Sequence, residues 1–237
     1  MKIALLIPTT TKNTKFKKLE DTHLFKFCLP SLCNTLSNDH QYTIYYGIDT
    51  DDKIYHKLKT KQKLINSKLY DKINKIKIYN MNHEKGDVVS IWNDLFKKAY
   101  DDNNDYFIQM GDDIFFHNNN WLNTCLQFLQ ANMNIGVVAP KDIGNPRILT
   151  QSIVSRKHMD IFGYYFNPNI KNWGCDDWIS GVYSKYFIYQ THHCISNKGG
   201  KPRYTPIQDI QLWNNLIKQD KIILKDYIND CCVKQKM

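Results

Sequence analysis

The sequence predicts an α/β protein with a mostly parallel central sheet flanked by helices, and three observations carry that expectation. Short apolar runs alternate with helical patterns through the first half of the chain, the rhythm of βα units. The first run, KIALLIP, is apolar without alternation, as in a strand covered on both faces. Acidic residues gather where the second and fourth runs end, the edge at which open α/β sheets hold their ligands.

Each element follows in order. After the first strand, LEDTHLFKFCLPSLCNTL has helical spacing at Leu24, Phe25, Cys28, Leu32 and Leu36, and Pro30 should kink it or open a second segment. YTIYYGID is a β-branched and aromatic second strand that runs into Asp49, Asp51 and Asp52. DDKIYHKLKTKQKLINSKLYDKI reads as a polar helix and KIKIYNM as a third strand. DVVSIWNDLFKKAY is an amphipathic helix, DDNN a turn and DYFIQM the fourth strand. Beyond residue 115 the rhythm changes: WLNTCLQFLQANM is a helix, IGVVAP a strand, and the last thirty or so residues look helical. With 237 residues, no repeat and no linker, the chain reads as one domain over 1–237. Within it lie a nucleotide-binding half (1–115), an acceptor or catalytic half (116–205) and C-terminal helices (206–237).

Composition narrows the class. At 42% hydrophobic and 13% aromatic residues there is material for a real core, and 10 Gly with 7 Pro exclude a fibrous chain. The net charge of +9 suits a polyanion: nucleic acid, a membrane surface or a phosphorylated small molecule. Against nucleic acid, the lysines are scattered along helical stretches and no reader motif is present. The seven cysteines show no CxxC spacing, which fits reduced thiols in a cytoplasmic protein better than a zinc site or a disulfide framework. MKIALLIPTT is too short an apolar run for a signal peptide, and no transmembrane segment is expected.

Asp-Asp occurs four times, at 51–52, 101–102, 112–113 and 176–177. Asp112 and Asp113 differ from a solvated turn because an apolar strand delivers them and Phe115 and Phe116 follow. Two close carboxylates repel unless a cation lies between them, and a hard divalent ion, Mg²⁺ or Mn²⁺, is the natural occupant. Asp176 and Asp177 sit between Trp173 and Trp178. Desolvation there suits a general base, and either acid could equally cap a helix. His192 and His193 should point to opposite faces of a strand. Lys198, Lys201 and Arg203 around Gly199 and Gly200 form a basic loop fit to close over a diphosphate, and Lys85 with Gly86 precedes a helix whose N-terminus favours phosphate. There is no P-loop, GxGxxG, GxSxG or HExxH pattern.

Taken together, IALLIPTT, FCLPSLCNTL, IYYGIDTDD, KGDVVSIWNDLFKKAY, YFIQMGDD and CDDW resemble, in order and spacing over roughly residues 2 to 205, a GT-A-fold glycosyltransferase of the broad type containing the family 2 enzymes. That resemblance implies a nucleotide-diphospho-sugar transferase fold and a hexosyl- or N-acetylhexosaminyl-transferase activity. Pro8, Thr9, Thr10, Asp49, Lys85 and Asp112 would bind the nucleotide. Asp113, with His193 preferred over His192, would hold a divalent metal (Mn²⁺ or Mg²⁺). Asp177 would be the catalytic base, with Asp176 orienting it or the acceptor. Gly111 stands where the first Asp of a DxD motif usually sits, so one contact is missing or supplied by Asp112. The implied partners are a UDP-sugar donor and a glycan, protein or small-molecule acceptor, with no nucleic acid; a homo-oligomer stays open. The rival readings are a sugar nucleotidyltransferase, which would want glycines in PTTTKNTK, and a non-catalytic basic nucleic-acid-binding module.

Overall fold

Strand β1 (Lys2–Thr9) shows why its sequence has no polar face. Ile3, Leu5 and Ile7 enter one core while Ala4 and Leu6 enter another, because successive side chains of a strand point to opposite sides. The computed structural model describes residues 1–67, 70–184, 187–200 and 202–234, with side chains to 231. Its sheet has eight strands in the order β3-β2-β1-β4-β7-β6-β8-β5. β2 (Gln41–Asp49), β3 (Lys75–Met81) and β4 (Tyr106–Gln109) extend β1 in parallel. β7 (Ile153–Ser155) runs antiparallel to β4 and to β6 (Val137–Asp142), β6 pairs in parallel with β8 (Ile188–Asn197), and β5 (Ile114–Phe116) closes the edge antiparallel to β8.

Helices cover both faces. α1 (Leu29–Thr35) and α4 (Trp121–Ala131) pack on one side. α3 (Val88–Asp101), α5 (Arg156–Phe162), α6 (Cys175–Val182) and α7 (Ile210–Lys234) pack on the other. Both faces are dry, as the continuous apolar strands require.

One local expectation holds and two change. Pro30 does open a second segment: a π-helical turn over Leu24–Cys28 passes into α1 with the proline in its first turn, where a missing N–H costs nothing. In the polar stretch before β3 the described residues form a short α-helix, α2 (Leu58–Ile65), whose one buried side chain is Leu64. His192 and His193 do not point apart. The β6–β8 register jumps from Pro140↔Thr191 to Lys141↔Cys194, and this bulge brings the two rings to 4.2 Å between centroids.

Candidate active site

Strand order reverses direction beside β1, with β2 on one flank and β4 on the other. A cleft of about 910 Å³ opens there, at the carboxyl ends of β1, β2 and β4, as expected of a switch point in an open α/β sheet. Pro8, Thr9, Thr10, Asp49, Lys85, Asp112, Asp113 and Asp176 all line it.

The β4 end splits its acid pair. Asp112 is 2% exposed and accepts a 2.6 Å hydrogen bond from the Thr9 hydroxyl. Arg203 grips the same carboxylate with both terminal nitrogens: Nη1 donates to Oδ2 at 2.9 Å and Nη2 donates to Oδ1, a bidentate pair of the strong kind. Asp113 lies farther from the guanidinium, at 3.8 Å. Burial and the Asp112 charge lift its carboxyl to about 6, against the pull of Arg203. Gly199 lies against it so closely that a Cβ there would fall 1.8 Å from Oδ2.

The second pair splits the same way. Asp176 and Asp177 occupy the first turn of α6, where the helix dipole favours negative charge. Gly174, with φ +92°, precedes them. Asp177 turns to a neighbouring cavity of about 650 Å³ and pairs with Arg147 at 2.7 Å. Asp176 borders both cavities and makes no ion pair among the described residues. Desolvation first, then the charges of Asp177 and Asp142, push its carboxyl well above the ordinary range. Trp178 is not a sugar platform: it is fully buried and its Nε1–H donates to Asp220 at 2.8 Å. Trp173, 39% exposed, is the indole at the cleft.

The remaining expected residues divide. Asp49 faces the cleft but is paired with Lys12 at 3.3 Å. Lys85 lines the cleft, while the N-terminus behind it is already capped, the Asp87 carboxylate accepting from Ser90 N at 3.1 Å. An anion finds lysine there rather than open helix N–H groups. His193 is buried and does not line the cleft. Lys198 Nζ sits 5.6 Å over the Phe115 ring rather than facing the cleft, and Lys201 lies outside the described residues.

Sequence reasoning missed three organisers. Asp52, fully buried, accepts from the backbone N–H groups of Thr11, Ile54 and Tyr55 and from the Thr10 and Thr11 hydroxyls, which fixes the loop after β1. Asp142, at the end of β6, accepts from the Thr150 hydroxyl at 2.9 Å and adds a further acid to the cleft wall. Gln151 accepts from Gly111 N at 2.8 Å, tying β4 to the β6–β7 connection. Asp52 shows in the sequence only as the second member of the 51–52 pair and Asp142 as one acid after VVAPK, and neither carries a spacing signal that would mark it.

The expected metal ligands are not assembled. Both oxygens of Asp112 are taken, Asp113 lies under Gly199, and His193 stands elsewhere. No group of three or more His, Cys, Asp or Glu among the described residues is placed to hold an ion. The donor set as folded does not fit a divalent cation, which needs about six oxygens around it.

No protein-family model and no curated protein matches the sequence. Solved structures do match in shape. TarS of S. aureus aligns with a TM-score of 0.59 at 14% identity over 97% of this chain and 43% of that one. Its 1–349 fragment, in complex with UDP-GlcNAc, aligns at 0.59 and 12% over 94% of this chain and 66% of that one. The mannosyltransferase PcManGT of Pyrobaculum calidifontis, in complex with GDP-Man and Mn²⁺, aligns at 0.54 and 9% over 96% and 64%. The chain thus spans less than half of full-length TarS and about two thirds of the other two. At such identities the likeness speaks for the backbone, and its order of strands and helices is that of a GT-A-like glycosyltransferase fold.

Proposed function

We propose that the cleft transfers a glycosyl group from a nucleoside-diphosphate sugar, with UDP the favoured nucleotide, to a hydroxyl of a glycan, protein or small-molecule acceptor. The observation that carries this reading is the meeting of Asp112, Asp113, Asp142 and Asp176 with Lys12, Lys85 and Arg203 in one cleft at the switch point. Cations there suit a diphosphate, and carboxylates suit ribose hydroxyls and an acceptor proton.

The base in this reading is Asp176 rather than Asp177. Asp176 faces the donor cleft and has no cation to quench it among the described residues, while Asp177 is engaged by Arg147 in the adjoining cavity. A carboxylate of raised pKa, once ionised, is a stronger proton acceptor. As the acceptor oxygen attacks the anomeric carbon, its proton passes to Asp176. The bond from that carbon to the phosphate oxygen breaks with its electrons on the departing diphosphate. The transition state has the oxocarbenium character that carboxylates stabilise in glycosidases, and direct displacement inverts the anomeric centre. The Thr9 and Thr10 backbone would position the ribose above the Asp112–Arg203 pair, and Asp49 with Lys12 would border the base. Buried thiols at Cys28, Cys33, Cys125 and Cys175 suit a reducing, cytoplasmic setting.

The test is a thermal-shift panel of UDP, GDP, CDP and ADP and their sugars, followed by nucleotide release from any donor that stabilises the chain. UDP and a UDP-sugar should raise the melting temperature, because ligand binding to the folded state alone stabilises it. If none of the nucleotides does so at millimolar concentration, the reading fails.

A further inference from the structure

We propose that Arg203 is the resident cation of this cleft, so that a nucleoside diphosphate binds without a divalent metal. The proposal rests on the nucleotide-sugar reading above and deepens it by naming what balances the charge at the end of β4.

Arg203 lies between the chain's two best-placed acids and the end of β1. Nη1 donates to Asp112 and to the Thr10 carbonyl, and Nη2 donates to the other oxygen of Asp112. The same nitrogen lies 3.8 Å from Asp113. Planar, two-pronged donation is what a guanidinium offers and an ammonium cannot. The side chain keeps 21% of its surface exposed and lines the cleft, so Arg203 borders the space a diphosphate would enter. Both oxygens of Asp112 are consumed by Arg203 and Thr9.

Room is the second argument. Asp113 is the one remaining carboxylate at this strand end, and Gly199 packs on its Oδ2. A divalent ion there would have to displace Gly199 before it could complete an oxygen shell. Sequence points the same way: the position before the pair is Gly111, whose N–H is spent on Gln151, so the strand end itself offers no carboxylate beyond Asp112 and Asp113. Lys12 and Lys85, on other walls of the cleft, supply further positive charge for the second phosphate.

The experiment is calorimetric titration of UDP into the full chain, once in EDTA and once in excess Mn²⁺. Affinity within about twofold in the two buffers supports the proposal, and Arg203→Met should then weaken UDP in EDTA by about tenfold to a hundredfold, the worth of hydrogen bonds to a charged group. Mn²⁺ paramagnetic resonance without nucleotide gives an independent reading: wild type should leave the ion free, while Arg203→Met, which uncovers Asp112, should bind it. UDP binding that needs Mn²⁺ in wild type, or that survives Arg203→Met unchanged, overturns the proposal. The wild-type comparison decides even if the variant misfolds. Absence of UDP binding in both buffers has a different signature, because it removes the nucleotide reading itself and this inference with it.

Discussion

The two Asp-Asp pairs of the cleft are the same dipeptide on different supports, one at a strand end and one in the first turn of a helix. Each divides its labour. Asp112 and Asp177 are held by arginines, Arg203 and Arg147, while Asp113 and Asp176 keep carboxyls of raised pKa. They differ in depth. Asp112 is buried under a guanidinium that is itself mostly enclosed, whereas Arg147 has 67% of its side chain in solvent. The inner pair is therefore the more deeply enclosed of the two, and in the proposed reading only Asp176 of the outer pair takes part in the chemistry.

The largest effect that could break this asymmetry is kinetic. Asp176→Asn should lower transfer by about 10²–10⁴-fold, the usual worth of a general base, with UDP affinity unchanged. Asp177→Asn should retain most of the rate. Steady-state kinetics and calorimetry on both variants check it, and the reverse order would return the base to Asp177. The rate of wild type should also fall on acidification at a pH above the ordinary carboxylate range, since Asp176 must lose its proton to act and its pKa is raised.

Next in size is the support of the outer pair. Gly174 has φ +92°, and a Cβ there would lie 2.0 Å from Trp213 Cε2. Gly174→Ala combines backbone strain with overpacking of α6 on α7 and should cost about 3 kcal/mol in urea unfolding.

A comparable loss should come from acid beneath the same helix. His158 is buried, and its Nε2–H donates to the Tyr165 carbonyl at 2.9 Å, so Nδ1 accepts from the Tyr183 hydroxyl at 2.8 Å. Desolvation lowers its pKa from 6.5 to about 4. Between those values the unfolded chain binds the proton and the native chain does not, so stability falls as pH drops from 6.5 toward 4. The total is about 3 kcal/mol. Urea titrations across that range check it, and His158→Gln should flatten the slope.

The smallest effect sharpens the contrast of depth. Arg147→Ala removes an exposed pair and should change stability by no more than about 1 kcal/mol.

Much of the fold was legible because its signals are local. KIALLIP, YTIYYGID, KIKIYNM and DYFIQM became β1 to β4 with nearly the expected bounds, since a strand buried on two faces has to be apolar throughout. The later strands were harder to read. β5 and β7 have three residues each, too few for a period, and their pairing with β8 and β4 is non-local. In the site, the strand-end acids were visible as acids, but which member of each pair meets a cation was not. That choice is set by Arg203 and Arg147, which lie 91 and 30 positions away. The contact between the His192 and His193 rings was not legible because a bulge is invisible in THHC: the alternation rule assumes an unbroken ladder.

Arg203 reaches back 193 positions to the Thr10 carbonyl. On the ribosome, β1 to β4 can pair long before that residue emerges, yet Asp112 would then be left without its counter-ion in a forming interior, which is unfavourable for a carboxylate. In the proposed reading, donor binding is thus tied to the arrival of the segment before α7. A protease nick between residues 197 and 203 should silence UDP binding while circular dichroism still reports an intact sheet.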